Sequence, residues 1–482
     1  MKTTLKLIIL LFPFSSLLGQ QWKDKKYQYD SNLNVVYGTA INFNGGIDTL
    51  KMDIYTPICD DQAHIATRPL MLVIHGGAFL AGDKGESNIT SICKQFAKRG
   101  YVTASINYRL GFISDKLAWN CNYPNYSCIF ATDSAEWYRA YFRAVQDGKG
   151  ALRYLINRHK TFRIDTANVF LAGESAGAFT ALGIGLMDTT SEKPPQAYKI
   201  SDAVKPNANA LNCQYNAGKS FPNTNIARPD LGSIEGNIEP SNIRYTIKGI
   251  GNMYGAMFSN LLKQHKSNNV KPGIFSYHQP CDIVVPIDSG RVFAGLSWCM
   301  ANGYGCYGIA NTAKLYGSRT FSQWNSNFNY GYNIHNEFTS TNFPYSFLIG
   351  KGSCSDQINN PCHAYDNFTL RSDNLANFFA PLVSTSPICD TTFFPSSLSK
   401  TLSKSKINLY PNPAQTSITI EHFSASPISL TIYNSMGQIV FNKIHLTEKK
   451  TTLEIRFLPA GIYSVFIKDS NGVVQVMRLV RE

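Results

Sequence analysis

Ser175 stands in the run Leu171-Ala172-Gly173-Glu174-Ser175-Ala176-Gly177-Ala178-Phe179-Thr180, where almost every neighbour has a minimal side chain. Small residues lower the steric cost where a backbone bends sharply or another segment comes close. The apolar stretch Asn168 to Ala172 reads as a buried strand, and the Ala- and Leu-rich stretch from Ala176 to about Met187 reads as a helix. Strand, tight turn and helix with a serine at the apex is the setting of a nucleophile on a strained turn. An attacking serine also needs donors for the negative oxygen it creates. The run Leu70-Met71-Leu72-Val73-Ile74 ends in His75-Gly76-Gly77-Ala78-Phe79, whose glycines allow backbone N–H groups to face such an oxygen.

These residues need a scaffold. The chain has 482 residues, 44% hydrophobic and 16% charged, enough for a large core and more than one domain. Strand-like runs occur at Leu70 to Ile74, Tyr101 to Asn107, Asn168 to Leu171, Thr246 to Ile250, Gly273 to Tyr277 and Tyr345 to Ile349. Helical patterns fall between them, at Ile89 to Arg99, Ser134 to His159, after Ser175, and at Asn374 to Leu382. Alternation of this kind argues an α/β domain with a mostly parallel central sheet. Its span is 21 to 383. Residues 384 to 406, rich in Ser, Thr, Lys and Pro, read as a linker. From 407 to 482 short alternating runs separated by turn residues describe a small all-β sandwich.

The first twenty residues combine Lys2 and Lys6 with an apolar run to Phe14 and small residues near Gly19, the pattern of a secretory signal. No other stretch is long and apolar enough to cross a bilayer. Eleven cysteines fit an exported protein. Compact spacing predicts disulfides Cys121–Cys128, Cys299–Cys306 and Cys354–Cys362, with Cys93 as a buried free thiol. No C-x-x-C pair is present, so no metal site is expected. The net charge of +13 is spread along the chain without a basic block, so nucleic acid is not an expected partner.

Together, His75-Gly76-Gly77 and Gly173-Glu174-Ser175-Ala176-Gly177 resemble the α/β-hydrolase carboxylesterases of type B, over roughly residues 36 to 382. Tyr101 to Leu110 and Asp147 with Ala151 to Leu155 share that likeness. Ala78 stands where many relatives carry a third glycine, and its amide is retained. The resemblance implies an order of nucleophile, acid and base along the chain. Asp282, after the strand-like Gly273 to Tyr277, takes the place of the acid, ahead of Asp288, Glu235 and Glu239. His363 is the expected base, with His335 the alternative, while His75 and His278 read as structural. Gly76, Gly77 and Ala176 would hold the oxyanion, and no cofactor is required.

Residues 407 to 482 resemble the C-terminal sorting domain of type IX secretion cargo in certain Gram-negative bacteria. The matching residues are Leu409-Tyr410-Pro411-Asn412-Pro413, Ile432-Tyr433 with Gly437, and Leu458-Pro459-Ala460-Gly461-Ile462-Tyr463. The likeness implies recognition by that machinery and release outside the cell or attachment to its surface.

The expected activity is hydrolysis of carboxylic esters. A serine peptidase or an acyltransferase of the same fold, and a non-catalytic adhesion module, are the competing readings. About eighty residues separate Asp282 from His363 and hold Trp298, Tyr304, Tyr307, Trp324, Phe328, Tyr330 and Tyr332. Such an insertion is expected beside the carboxyl ends of the strands. Trp324, Tyr330 and Tyr332 are accordingly expected to bind bulky or polymer-linked substrate.

Overall fold

The computed structural model describes residues 22–58, 67–112, 134–201, 227–265, 270–293, 312–338, 362–384, 408–422, 428–434, 439–468 and 474–482. The chain divides into two compact units, Met1–Thr391 and Thr392–Glu482.

The first unit is organised by an eight-stranded sheet. Its strands are β1 (Tyr29–Ile41), β2 (Ile47–Pro57), β3 (Arg68–Ile74), β4 (Val102–Ile106), β5 (Ile164–Glu174), β6 (Ile247–Met253), β7 (Gly273–Tyr277) and β8 (Ile334–Glu337). They lie in the order β1-β2-β4-β3-β5-β6-β7-β8. The β1–β2 and β2–β4 pairs are antiparallel, and all later neighbours are parallel.

Parallel strands are buried on both faces and read as continuous apolar runs. In β3, Leu70, Leu72 and Ile74 join one core, whereas Met71 and Val73 point into the other. Helices α2 (Ala135–Asn157) and α3 (Ala176–Leu186) contribute to the first core; α1 (Ser87–Ala97) and α5 (Phe368–Phe379) contribute to the second. A further helix, α4 (Ser318–Asn327), also contributes Phe321 to the first core.

One buried ion pair ties the loop after β4 to α2. The Arg109 side chain donates to Asp147 from Nε at 3.0 Å and from Nη2 at 2.7 Å, and its backbone N–H adds a bond at 2.8 Å. Burial pushes the Asp147 carboxyl up even beside this arginine. The pair therefore fixes geometry more than it adds net stability, yet removing one partner strands a buried charge.

The eighth strand is not among the apolar runs of the sequence. Ile334–Glu337 pairs in parallel with β7, and His335 lies opposite Phe275 within it. Among the described residues β8 pairs with β7 alone, and a strand with one neighbour can be short and polar. Tyr345 to Ile349 lies outside the described residues, as do residues 1 to 20 and the linker from 385.

The second unit contains two antiparallel sheets. The strands are β9 (Asn408–Tyr410), β10 (Ser417–Glu421), β11 (Ile428–Tyr433), β12 (Ile439–Leu446), β13 (Lys450–Glu454), β14 (Gly461–Lys468) and β15 (Val474–Arg481). Their orders are β9-β10-β13 and β12-β11-β14-β15. Ile418 and Ile420 from the first sheet share one core with Leu430, Ile432, Val465, Ile467 and Leu479 from the second. This is the sandwich that the alternating pattern predicts.

Replacing Asp147 by Ala is expected to destabilise the first unit by about 3–5 kcal/mol, the cost of an abandoned buried charge. Denaturant unfolding measures it, and a loss under about 1 kcal/mol would contradict the anchoring role of the pair.

Candidate active site

Adjacent strands finish in register at one edge of the sheet. Ile74 pairs with Gly173, Glu174 with Met253, and Met253 with Tyr277. The next residue of each strand, namely His75, Ser175, Tyr254 and His278, therefore emerges along the same carboxyl edge. Ser175 sits there with φ 52° and ψ −124°, a backbone that a side chain seldom adopts. Its N–H donates to the Met253 carbonyl at 2.9 Å.

Close approach explains the flanking glycines. A Cβ on Gly173 would lie 2.2 Å from the Gly177 carbonyl oxygen, and one on Gly177 would lie 2.1 Å from that of Ile74. Strand β5, the turn and α3 can pack this tightly only where both side chains are absent.

The His75-Gly76-Gly77 segment lies against the elbow, since a Cβ on Gly76 would come within 3.1 Å of the Ser175 Cβ. His75 is fully buried and stacks on Tyr108 at 4.5 Å between ring centroids. Its Nδ1–H donates to the Gly76 carbonyl at 2.8 Å, and the Tyr108 hydroxyl reaches the same oxygen at 3.1 Å. Because the peptide is planar and trans, holding the Gly76 carbonyl this way aims the Gly77 N–H in the opposite direction. Among the described residues, the backbone N–H groups of Gly76, Gly77 and Ala176 have no protein acceptor.

His363 bridges two chain segments. Its Nδ1–H donates to Asp282 Oδ2 at 2.7 Å, which leaves Nε2 to accept from the Ser175 hydroxyl at 2.8 Å. Asp282 Oδ1 accepts the Val284 and Val285 N–H groups, each at 2.9 Å. Burial opposes charge on Asp282, but His363 and the imidazole donors outweigh it and hold the carboxyl below its ordinary value. The Tyr254 ring meets the His363 ring edge-on at 4.8 Å, and its hydroxyl donates to Glu174 Oε2 at 2.9 Å. Burial pushes the Glu174 carboxyl up, with the Tyr254 bond offsetting part of the shift.

The competing residues are engaged elsewhere. His335 stacks on Phe275 and faces Glu337, in hydrogen bond with neither Ser175 nor Asp282. Asp288 pairs with Arg319, Glu235 with Lys149 and Arg153, and Glu239 with Arg158. A cavity of about 870 Å3 between the β1–β2 hairpin, α2 and residues 227–240 includes none of Ser175, Asp282 and His363. Chemistry, not cavity size, picks out the site.

Two expectations need correction. Cys362 is bridged to Cys281, not to Cys354, with 5.6 Å between the Cα atoms. Each bridged cysteine immediately precedes a residue of the hydrogen-bonded pair, Asp282 or His363. Sequence proximity favoured Cys354, whereas parallel packing brings residues 81 positions apart together. The repeated adjacency of Cys281-Asp282 and Cys362-His363 was the available signal. Cys93 is free and buried, as expected. Cys121, Cys128, Cys299, Cys306 and Cys354 lie outside the described residues.

The aromatic residues Tyr330 and Tyr332 sit at the other edge of the sheet. Asn333 accepts the Ile274 N–H just at the amino end of β7, and Tyr332 precedes it. Tyr332 is buried, with its hydroxyl on the Leu262 carbonyl, and Asn325 brackets its backbone. The Tyr330 hydroxyl accepts from Asn260, while Trp324 packs on Tyr316. Tyr330 and Tyr332 support the amino edge, because the chain runs through α4 down the sheet before entering β8, whereas Trp324 meets Tyr316, which pairs with Met257 and Ser289 beyond the carboxyl ends of β6 and β7. Trp298, Tyr304 and Tyr307 lie outside the described residues.

A mostly parallel sheet with helices on both faces and a serine elbow at its carboxyl edge defines an α/β-hydrolase domain. Residues 52–119 and 129–225 match the family profile described as BD-FAE, and residues 408–482 match the secretion system C-terminal sorting domain. The chain thus carries an esterase-like α/β-hydrolase domain followed by a type IX sorting domain, which marks it for export to the medium or cell surface. Among curated proteins, neuroligin-like protein glit-1 of Caenorhabditis elegans is 28% identical over 131 residues, 27% of this chain and 15% of that protein. The chain thus matches well under two thirds of that relative's length. Among solved structures, esterase Est2 of Thermogutta terrifontis aligns at 14% identity and TM-score 0.36, covering 73% of this chain and 91% of Est2. A truncated carbohydrate esterase from gut microbiota aligns at 14% identity and TM-score 0.37, covering 74% of this chain and 98% of that one. No helix among the described residues is long and apolar enough to cross a membrane.

Two measurements follow. Peptide mapping without reductant should recover Cys281 linked to Cys362, with Cys93 alkylated only after unfolding; a Cys354–Cys362 peptide would contradict the pairing. Glu174 concerns pH. A carboxyl raised by burial costs the folded state nothing while both states are protonated. It costs progressively more as pH climbs from the unfolded value through the folded one. The melting temperature of Glu174→Gln relative to wild type should therefore rise between about pH 4 and pH 8. A difference that stays flat across that range would contradict the buried-acid assignment.

Proposed function

We propose that this protein is an exported serine carboxylesterase that forms an acyl-enzyme on Ser175. The observation that supports it best is the unbroken chain from Ser175 through His363 to Asp282, with bonds of 2.8 and 2.7 Å. As Ser175 Oγ attacks the ester carbonyl carbon, its proton passes to His363 Nε2. Asp282 accepts the opposite N–H and stabilises the imidazolium. Negative charge on the carbonyl oxygen is met by the N–H groups of Gly76, Gly77 and Ala176. Collapse breaks the ester C–O bond, and the leaving alcohol takes the proton from His363. Water then attacks the acyl carbon with His363 as base, and Ser175 regains its proton as the acid departs.

The Cys281–Cys362 bridge supports this cycle by joining the acid and base segments covalently, so that neither can drift while the imidazole exchanges protons. The sorting domain supplies delivery rather than chemistry.

Ser175→Ala is expected to reduce turnover of a p-nitrophenyl ester by roughly 10^4–10^6-fold, and His363→Ala comparably. An alkylphosphonate probe should label wild type at Ser175, and His335→Ala should keep near-normal turnover. Retained hydrolysis in Ser175→Ala, or hydrolysis of peptides in preference to esters, would refute the reading.

A further inference from the structure

The acid of the site is held by more than its base. His278, the first residue after β7, is fully buried. Its Nε2 is 2.8 Å from the Val285 carbonyl oxygen. A carbonyl can only accept, so the proton of His278 resides on Nε2. That nitrogen is also 3.2 Å from Asp282 Oδ2, the oxygen that accepts from His363. The other ring nitrogen, Nδ1, lies 2.8 Å from the Ser318 hydroxyl at the start of α4. Ser318 Oγ in turn accepts from Asn252 Nδ2 at 2.9 Å and lies 3.3 Å from the Gly255 carbonyl, so its hydroxyl hydrogen is shared between that carbonyl and Nδ1. Asn252 is in β6 and also donates to Ser276 of β7 at 3.1 Å. Ser276, Ser318 and Asn252 are, like His278, inaccessible to solvent.

We propose that His278 is a positioning residue for Asp282. Its Nε2–H, shared between the Val285 carbonyl and Oδ2, keeps this oxygen aimed at His363 throughout turnover. The inference rests on the esterase reading above and deepens it. The argument is one of constraint. The backbone N–H groups of Val284 and Val285 hold Oδ1, but they leave the direction of Oδ2 to whatever meets that oxygen. His363 cannot set this direction alone, because its ring exchanges a proton with Ser175 and then with the leaving group. His278 is independent of that motion, being clamped by the Val285 carbonyl on one side and by the Ser318–Asn252 pair on the other. The clamp draws on β6, β7 and α4, so His363 meets a prearranged acid. His278 touches no substrate and has no path to solvent. Its removal should therefore affect the chemical step and leave binding alone.

The experiment uses the full chain and two kinds of readout. In wild type, 15N NMR of the histidine rings should find His278 carrying a proton on Nε2. Finding Nε2 without a proton would overturn the proposal without any variant having to fold. The low-field proton of the His363–Asp282 bond, assigned by its loss in His363→Gln, should be sharp in wild type. It should broaden and move upfield in His278→Phe, and recover in His278→Gln, which keeps an N–H where Nε2 stood. With a p-nitrophenyl ester, kcat of His278→Phe should fall about 10- to 100-fold, the value of one hydrogen bond to a charged group, at unchanged KM. His278→Gln should recover most of that loss. An unaltered low-field proton in His278→Phe, or equal losses in Phe and Gln variants, would overturn the positioning role. The proton resonance needs no turnover, so it decides on His278 even if Ser175→Ala keeps full hydrolysis and the esterase reading falls.

Discussion

The left-handed backbone of Ser175 is the constraint on which the candidate site turns. A side chain at φ 52° is strained, and such strain persists only where the surroundings overdetermine it. Here the surroundings are three layers of main chain in contact. Strand β3, the β5–α3 turn and the Ser175 N–H on Met253 leave the serine one place to stand. The glycines at 173 and 177 are the condition for that contact, and the small residues around Ser175 follow from it. The reward is a partly buried hydroxyl at a sheet edge where neighbouring strands deliver other polar groups in register.

From that edge the site is assembled by reach. Strand β3 supplies the His75-Gly76-Gly77 loop, whose carbonyl is pinned by His75 and Tyr108 so that amide hydrogens are free to face an anion. Strand β7 supplies Asp282 after one short turn. His363 arrives from much farther along the chain, and its backbone neighbour Cys362 is welded to the neighbour of Asp282. A residue returning from so long an excursion has a large conformational entropy to lose. A covalent tie beside it removes much of that freedom before any hydrogen bond forms. The buried Asp282 carboxylate, with N–H donors on both oxygens, gives the imidazole a fixed partner on the other side.

The two units bury separate cores. The sorting domain has its own core, built from Ile418, Ile420, Leu430, Ile432 and Val465. It needs nothing from the hydrolase domain to bury it. The hydrolase domain closes its second core with α5, ahead of the linker.

By itself the sequence determined what is encoded locally. Continuous apolar runs named β3 to β7, because a strand buried on both faces has no polar side to show. The small residues around Ser175 named the elbow, because close backbone contact excludes side chains at specific positions. Alternating residues beyond 407 named a sandwich with one wet face per sheet. Asp282 and His363 were legible only by combining strand-end positions with a family resemblance. The tertiary structure alone decided which cysteine meets Cys362, that Ile334–Glu337 is a strand of the sheet, and that Tyr330 and Tyr332 belong to the amino edge. It also turned His278 from a lone buried histidine into the partner of Asp282. Each of these depends on which distant segments the parallel register lays side by side. Spacing along the chain carries no record of that, since a long connection can return to either end of a strand at nearly equal entropic cost.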